Sequence, residues 1–176
     1  MKKTITVFGS SKPKEEDEEF KIAYELGSLL AGKGFNVCTG GYQGTMNAVS
    51  KGAAEKGAEA IGITVNGWKA VPSRYLTKEI KCANLTERLQ KLISYGDGYA
   101  ILQGGTGTLL EFSFIWELMN KKLLTLKPVA THSIMWQEIA EIIDKRLLIE
   151  KRVTGLIRNF ETVEEIADYL YTNLQG

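Results

Sequence analysis

The chain is poor in the residues that carry metal and acyl-transfer chemistry. It has one histidine, His132, among 176 residues. A His-rich metal site and a histidine-driven nucleophilic triad therefore lack their ligands and bases. Two cysteines, Cys38 and Cys82, stand without a CxxC pair or a His/Cys cluster. Both fall in predicted strands, where cysteine serves as a small buried hydrophobe in a reducing compartment. No sign of charge dominates: 22 basic residues face 21 acidic ones, for a net charge of +1. Without a basic tail or stripe, no nucleic-acid polymer is expected as a partner. The apolar runs are too short to span a bilayer, so no membrane partner is expected. Met1-Lys2-Lys3 leads straight into a predicted strand with no signal-peptide hydrophobic region, which makes cytoplasmic localisation the expectation. No Gly-Lys-Ser/Thr follows any glycine turn, which excludes a Walker A loop, and no full GxGxxG supports a nicotinamide cofactor.

What is present is a regular alternation of strand and helix patterns. The length suits one domain, residues 1–176, able to bury roughly 70% of its unfolded surface. Strands are predicted at 4–8, 35–39, 58–65, 79–83, 99–102 and 128–130. The first helix shows an apolar stripe of Phe20, Ala23, Tyr24, Leu26, Leu29 and Leu30, and ends at Gly32 and Gly34. Further helices are predicted over 46–56, 84–95, 108–121, 133–148 and 163–174. Thr162 and Glu165 form a capping-box pattern before the last of these. Residues 66–78 read as a long loop of the kind that is often functional. The βα alternation predicts a Rossmann-like three-layer α/β/α domain with a mainly parallel sheet.

Three glycine turns each follow a predicted strand. They are Gly9-Ser10-Ser11, Gly40-Gly41-Tyr42-Gln43-Gly44-Thr45 and Gly104-Gly105-Thr106-Gly107-Thr108. In a parallel sheet all three lie at the carboxyl edge, where open α/β sheets bind ligands. Glycine lets backbone N–H groups approach a phosphate, and a following helix aims its positive end at the anion. The hydroxyls of Ser10, Ser11, Thr45, Thr106 and Thr108 add donors. Any one turn alone is an ordinary tight connection; three at one edge point to a phosphorylated ligand. A phosphate is expected against the amides of residues 105–108.

Two charged residues stand near these turns. Glu111 lies one turn into the helix that follows the third. By spacing alone it reads as a dipole-complementing first-turn glutamate; its alternative is a carboxylate facing the pocket. Arg88 sits amid Leu85, Leu89, Leu92 and Ile93 and reads by itself as a snorkelling surface arginine.

The motif Gln103-Gly104-Gly105-Thr106-Gly107-Thr108-Leu109-Leu110-Glu111 resembles the PGGxGTxxE motif of the LOG family. Those proteins are cytokinin riboside 5′-monophosphate phosphoribohydrolases, long mislabelled lysine decarboxylases. Gly40 to Met46 resembles the family's GGGxxGLM segment, and Val7 to Ser11 its first strand and GS turn. Leu85-Thr86-Glu87-Arg88 is similar to the stretch ending in the family's active-site arginine, and Asp97 stands where the family has an aspartate. The resemblance covers about residues 4–130. Gln103 replaces the motif's proline, Leu110 a second glutamate, Tyr42 a third glycine, and Leu89 a basic residue.

The resemblance implies hydrolysis of a nucleoside 5′-monophosphate to base and ribose 5-phosphate, with Glu111 and Arg88 as catalytic residues. The phosphate would lie on Gly9, Ser10, Ser11, Gly40, Gly41, Gly44, Thr45, Gly104, Gly105, Thr106, Gly107 and Thr108. It implies a homodimer and no metal or other cofactor. The apolar residues Phe112, Ile115, Trp116 and Met119 are the expected dimer face, with core as their alternative. Decarboxylation is set aside, since no lysine sits in a pyridoxal phosphate constellation. Molybdenum-cofactor carrier proteins share the architecture and the glycine turns, so the departures leave open a carrier without turnover.

Overall fold

The structure, a computed structural model, describes residues 2–175. Its elements alternate along the chain. Strands are β1 (Thr4–Phe8), β2 (Asn36–Thr39), β3 (Ala60–Val65), β4 (Lys78–Cys82), β5 (Gly98–Ile101), β6 (Val129–His132) and β7 (Ile157–Phe160). Helices are α1 (Glu18–Gly32), α2 (Thr45–Glu55), α3 (Leu85–Tyr95), α4 (Thr106–Asn120), α5 (Ile134–Ile149) and α6 (Val163–Leu174). The strands form one sheet in the order β4-β3-β2-β1-β5-β6-β7, and every pairing is parallel. The expected α/β/α layering is therefore present, and the sheet is wholly parallel among the described residues.

Sequence alternation decides which layer each strand residue enters. Ile5 and Val7 of β1, with Ala100 of β5, join α1, α2 and α6 in one core. Phe8, Tyr99 and Ile101 join α3, α4 and α5 in the other. The central strands are buried on both faces, which is why they read as continuous apolar runs. At one edge, β4 presents the exposed Lys78, Glu79 and Lys81, charges that discourage pairing with another edge.

One strand, β7, has no counterpart in the sequence reading. Only Ile157 of its four residues is buried, and Arg158 and Asn159 interrupt the apolar pattern, so its partner β6 defines it.

The expected dimer face is corrected. Phe112, Ile115, Trp116 and Met119 are at most 4% exposed and belong to the core under α4. Phe112 contacts the rings of both Trp116 and Trp136, at centroid distances of 5.3 and 5.5 Å.

The chain runs outward from β1 to β4, then returns to β5 on the other side of β1. The sheet's winding reverses between β1 and β5. Loops leaving these strands diverge there and open a crevice at the carboxyl edge.

Candidate functional site

The three glycine turns meet in this crevice through backbone hydrogen bonds. Ser10 N–H donates to the Gln103 carbonyl at 2.9 Å, joining the first turn to the third. Thr45 N–H donates to the Ser10 carbonyl at 2.8 Å, joining the second to the first. Gly44 has φ +69°, and a Cβ there would stand 2.4 Å from the Ser10 carbonyl oxygen. Glycine is thus required for conformation and for space.

A cleft of about 540 Å³ lies over these turns, within the size range of small-ligand sites. Of the sequence-predicted residues, Gly9, Ser10, Ser11, Gly40, Arg88, Gly105, Thr106, Gly107, Thr108 and Glu111 line it. Gly41, Gly44, Thr45 and Gly104 do not. Gly41 accepts from Ser73 N–H at 2.9 Å, and Gly104 leaves room for the Thr108 side chain. Gly44 and Thr45 fasten the second turn to the first, Gly41 ties the second turn to the 66–78 loop, and Gly104 makes room within the third. A second, polar hollow of about 600 Å³ adjoins the cleft, and Ser11 and Lys12 line both.

At the third turn, Gly105 precedes α4, and Gly105, Thr106 and Gly107 are exposed. The first N–H groups of a helix have no intrahelical partner, and a glycine in the capping position has no side chain to cover them. These amides face a ligand-sized space, with the positive end of a 15-residue helix behind them.

Arg88 is not a surface arginine. Asn84 caps α3, accepting from Glu87 N–H at 3.0 Å, and so sets the helix register that turns Arg88 inward. Arg88 is 6% exposed. Its Nε donates to the Ile63 carbonyl at 2.9 Å, its Nη2 to the Gly40 carbonyl at 3.3 Å, and its Nη1 to Glu111 Oε1 at 3.3 Å. A Cβ on Gly40 would stand 1.8 Å from Nη2, so the guanidinium occupies the place of that missing side chain. The guanidinium carbon lies 5.8 Å from the Tyr42 ring and 5.7 Å from the Trp68 ring, within cation–π range.

Glu111 is largely buried at the cleft wall, its side chain 12% exposed. Burial pushes its carboxyl up to about 7, and the adjacent Arg88 pulls in the opposite direction. A carboxyl with this value exchanges protons near neutral pH, a property concentrated at functional sites. Cys38 is different: burial raises its thiol to about 12, so it is a packing residue.

Several cleft residues were missed in the sequence: Lys12, Met46, Trp68, Ala70, Leu85 and Leu89. Tyr42 was noted only as a departure. In the fold it is 6% exposed, and its hydroxyl accepts from Val65 N–H at 2.8 Å. The available signals were Trp68, a tryptophan in a long predicted loop, and the place of Met46, Leu85 and Leu89 within or beside the segments that resemble the LOG motifs.

An all-parallel sheet with a crevice at its winding reversal defines a Rossmann-like three-layer α/β protein. The chain belongs to the SLOG cluster4 family, whose family model matches residues 2–157. An uncharacterized protein of Archaeoglobus fulgidus is 29% identical over 113 residues, covering 64% of this chain and 74% of that one. A cytokinin riboside 5′-monophosphate phosphoribohydrolase of Mycobacterium tuberculosis is 28% identical over 116 residues, 64% of this chain and 62% of its own length. The molybdenum cofactor binding protein of Rippkaea orientalis matches in structure with a TM-score of 0.77 at 23% identity. That match covers 98% of this chain and 97% of the other. The LOG-type resemblance of the glycine turns thus holds at the level of family and fold.

Proposed function

We propose that the protein hydrolyses the N-glycosidic bond of a cytokinin or adenine nucleoside 5′-monophosphate, releasing the base and ribose 5-phosphate. The observation that carries this reading is the buried Arg88–Glu111 pair, 3.3 Å apart, in the same cleft as the open N-terminus of α4. An ion pair so placed is weak evidence for stability, because desolvation offsets its attraction. It suits charge that must appear and disappear during a reaction.

In this scheme the 5′-phosphate lies on the amides of residues 105–108, with Thr106, Ser10 and Ser11 near it. The amides of Ser10 and Thr45 are already engaged, so the first turn contributes its hydroxyls and the second contributes shape. The bond between C1′ and the base nitrogen breaks with its electrons leaving on the base, and C1′ gains oxocarbenium character. Ionised Glu111 stabilises that charge and orients the water whose oxygen bonds to C1′; one water proton ends on the base. Arg88 holds Glu111 in place. No step calls for a metal or redox group.

A second reading, a carrier that binds without turnover, draws on Leu110. It lines the cleft where the LOG motif has a second glutamate, and removes one carboxylate from the site. The discriminating experiment is incubation with AMP and with isopentenyladenosine monophosphate, followed by chromatography for free base. Base release supports the hydrolase. Tight nucleotide or cofactor binding without release supports the carrier and rejects the hydrolase.

A further inference from the structure

We propose that Trp68 is the stacking platform of this cleft, receiving the planar fused heterocycle of the phosphorylated ligand on its indole face. This rests on the phosphate-site reading above and adds the residue that selects the ring. Of three tryptophans, Trp136 and Trp116 are 1% and 4% exposed, whereas Trp68 is 46% exposed and lines the cleft. Leaving half an indole in water forfeits apolar burial unless a ligand covers it.

The ring is also held in readiness. It stacks on Tyr42 with centroids 5.8 Å apart and planes 21° from parallel. Tyr42 is itself fixed by its hydrogen bond from Val65 N–H, and the Arg88 guanidinium lies against both rings. Gly67, at φ +79°, turns the chain just before the indole.

The order of contacts follows the shape of a nucleotide. The open amides of α4 mark the phosphate end. Glu111 follows about one turn along that helix, at 1.5 Å rise per residue. Arg88 donates to Glu111 and lies within cation–π range of the Trp68 ring, so it links the carboxylate to the indole. Phosphate, sugar and ring would therefore meet amides, carboxylate and indole in sequence. Met46, Leu85 and Leu89 supply an apolar surround.

Two ring sources share this chemistry: a purine and a pterin. The test is a fluorescence and calorimetric titration of the full chain with AMP, adenosine, pterin and ribose 5-phosphate. AMP or pterin is expected to change the emission of Trp68, and the signal is expected to vanish in Trp68→Leu. That variant is expected to bind the ring ligand about ten- to a hundredfold more weakly, as for loss of one base–aromatic stack. Trp68→Phe, which keeps an aromatic face, is expected to recover most of the affinity. Ribose 5-phosphate is expected to bind both proteins alike. Equal binding of AMP and adenosine by the wild type, with loss in Trp68→Leu, would reject the phosphate site and leave the platform standing. Unchanged ring-ligand affinity in Trp68→Leu, or no binding of AMP and pterin by the wild type, would overturn the proposal.

Discussion

Glu111 and Gly40 divide the work of the cleft between charge and space. Burial is the larger influence on Glu111, so its folded value of about 7 lies above the ordinary 4.5. The folded chain then keeps a proton that the unfolded chain releases in this interval. The resulting stabilisation is fully present below about pH 4.5 and is lost as pH rises through about 7. Between pH 5 and 8, the unfolding midpoint of the wild type should fall relative to that of Glu111→Gln, as followed by denaturant titration. Activity should move the other way, because the scheme needs the carboxylate. Base release is expected to rise with pH through about 7. It should drop by roughly two to three orders of magnitude in Glu111→Gln, with smaller change in nucleotide affinity. Wild-type turnover in that variant would return Glu111 to the role of dipole partner. At Gly40, a methyl group would displace the Arg88 guanidinium. Gly40→Ala is expected to slow base release about a hundredfold, the scale of an ångström misplacement, and kinetics at saturating nucleotide checks it.

At the scale of elements, helix ends carry both stability and site. The box at the start of α6 is complete: Glu165 N–H donates to Thr162 Oγ1 at 3.3 Å, and Thr162 N–H donates to Glu165 Oε2 at 3.1 Å. Thr162→Ala should cost about 1 kcal/mol in chemical denaturation, leaving ligand binding unchanged. At α4 the cap is a glycine, and the uncovered amides there are available to a ligand. Most elements were legible because they rest on local chemistry, such as the stripe of α1 and the Thr162 box. β7 was not legible, because a short edge strand with two polar residues takes its identity from its neighbour. The inward aim of Arg88 was hidden for a similar reason: nothing local says that Ile63 and Gly40 will present carbonyls to it.

At the scale of the whole molecule, the resemblance to LOG proteins implies a homodimer. With Phe112, Ile115, Trp116 and Met119 in the core, the outer surface near the cleft offers Leu85, Leu109 and Leu110 instead, each 40–43% exposed. Leu109→Glu is expected to shift a dimer toward monomer in light scattering at micromolar concentration. A monomeric wild type would reject the dimer.

The sequence by itself determined the βα alternation, the three glycine turns and their placement at one edge of a parallel sheet. Those features follow from backbone sterics and from apolar periods of two and 3.6 residues, all set within short windows. The tertiary structure alone decided which glycines face the cleft and which fasten the turns. It also decided that Arg88 and Glu111 meet in a poorly hydrated wall, and that Tyr42 and Trp68 stack beside them. The carboxyl value of about 7 at Glu111 depends on burial and on Arg88, 23 positions away in the chain, and Arg88 in turn is held by Gly40, another 48 positions back. No local pattern encodes the water that such neighbours exclude.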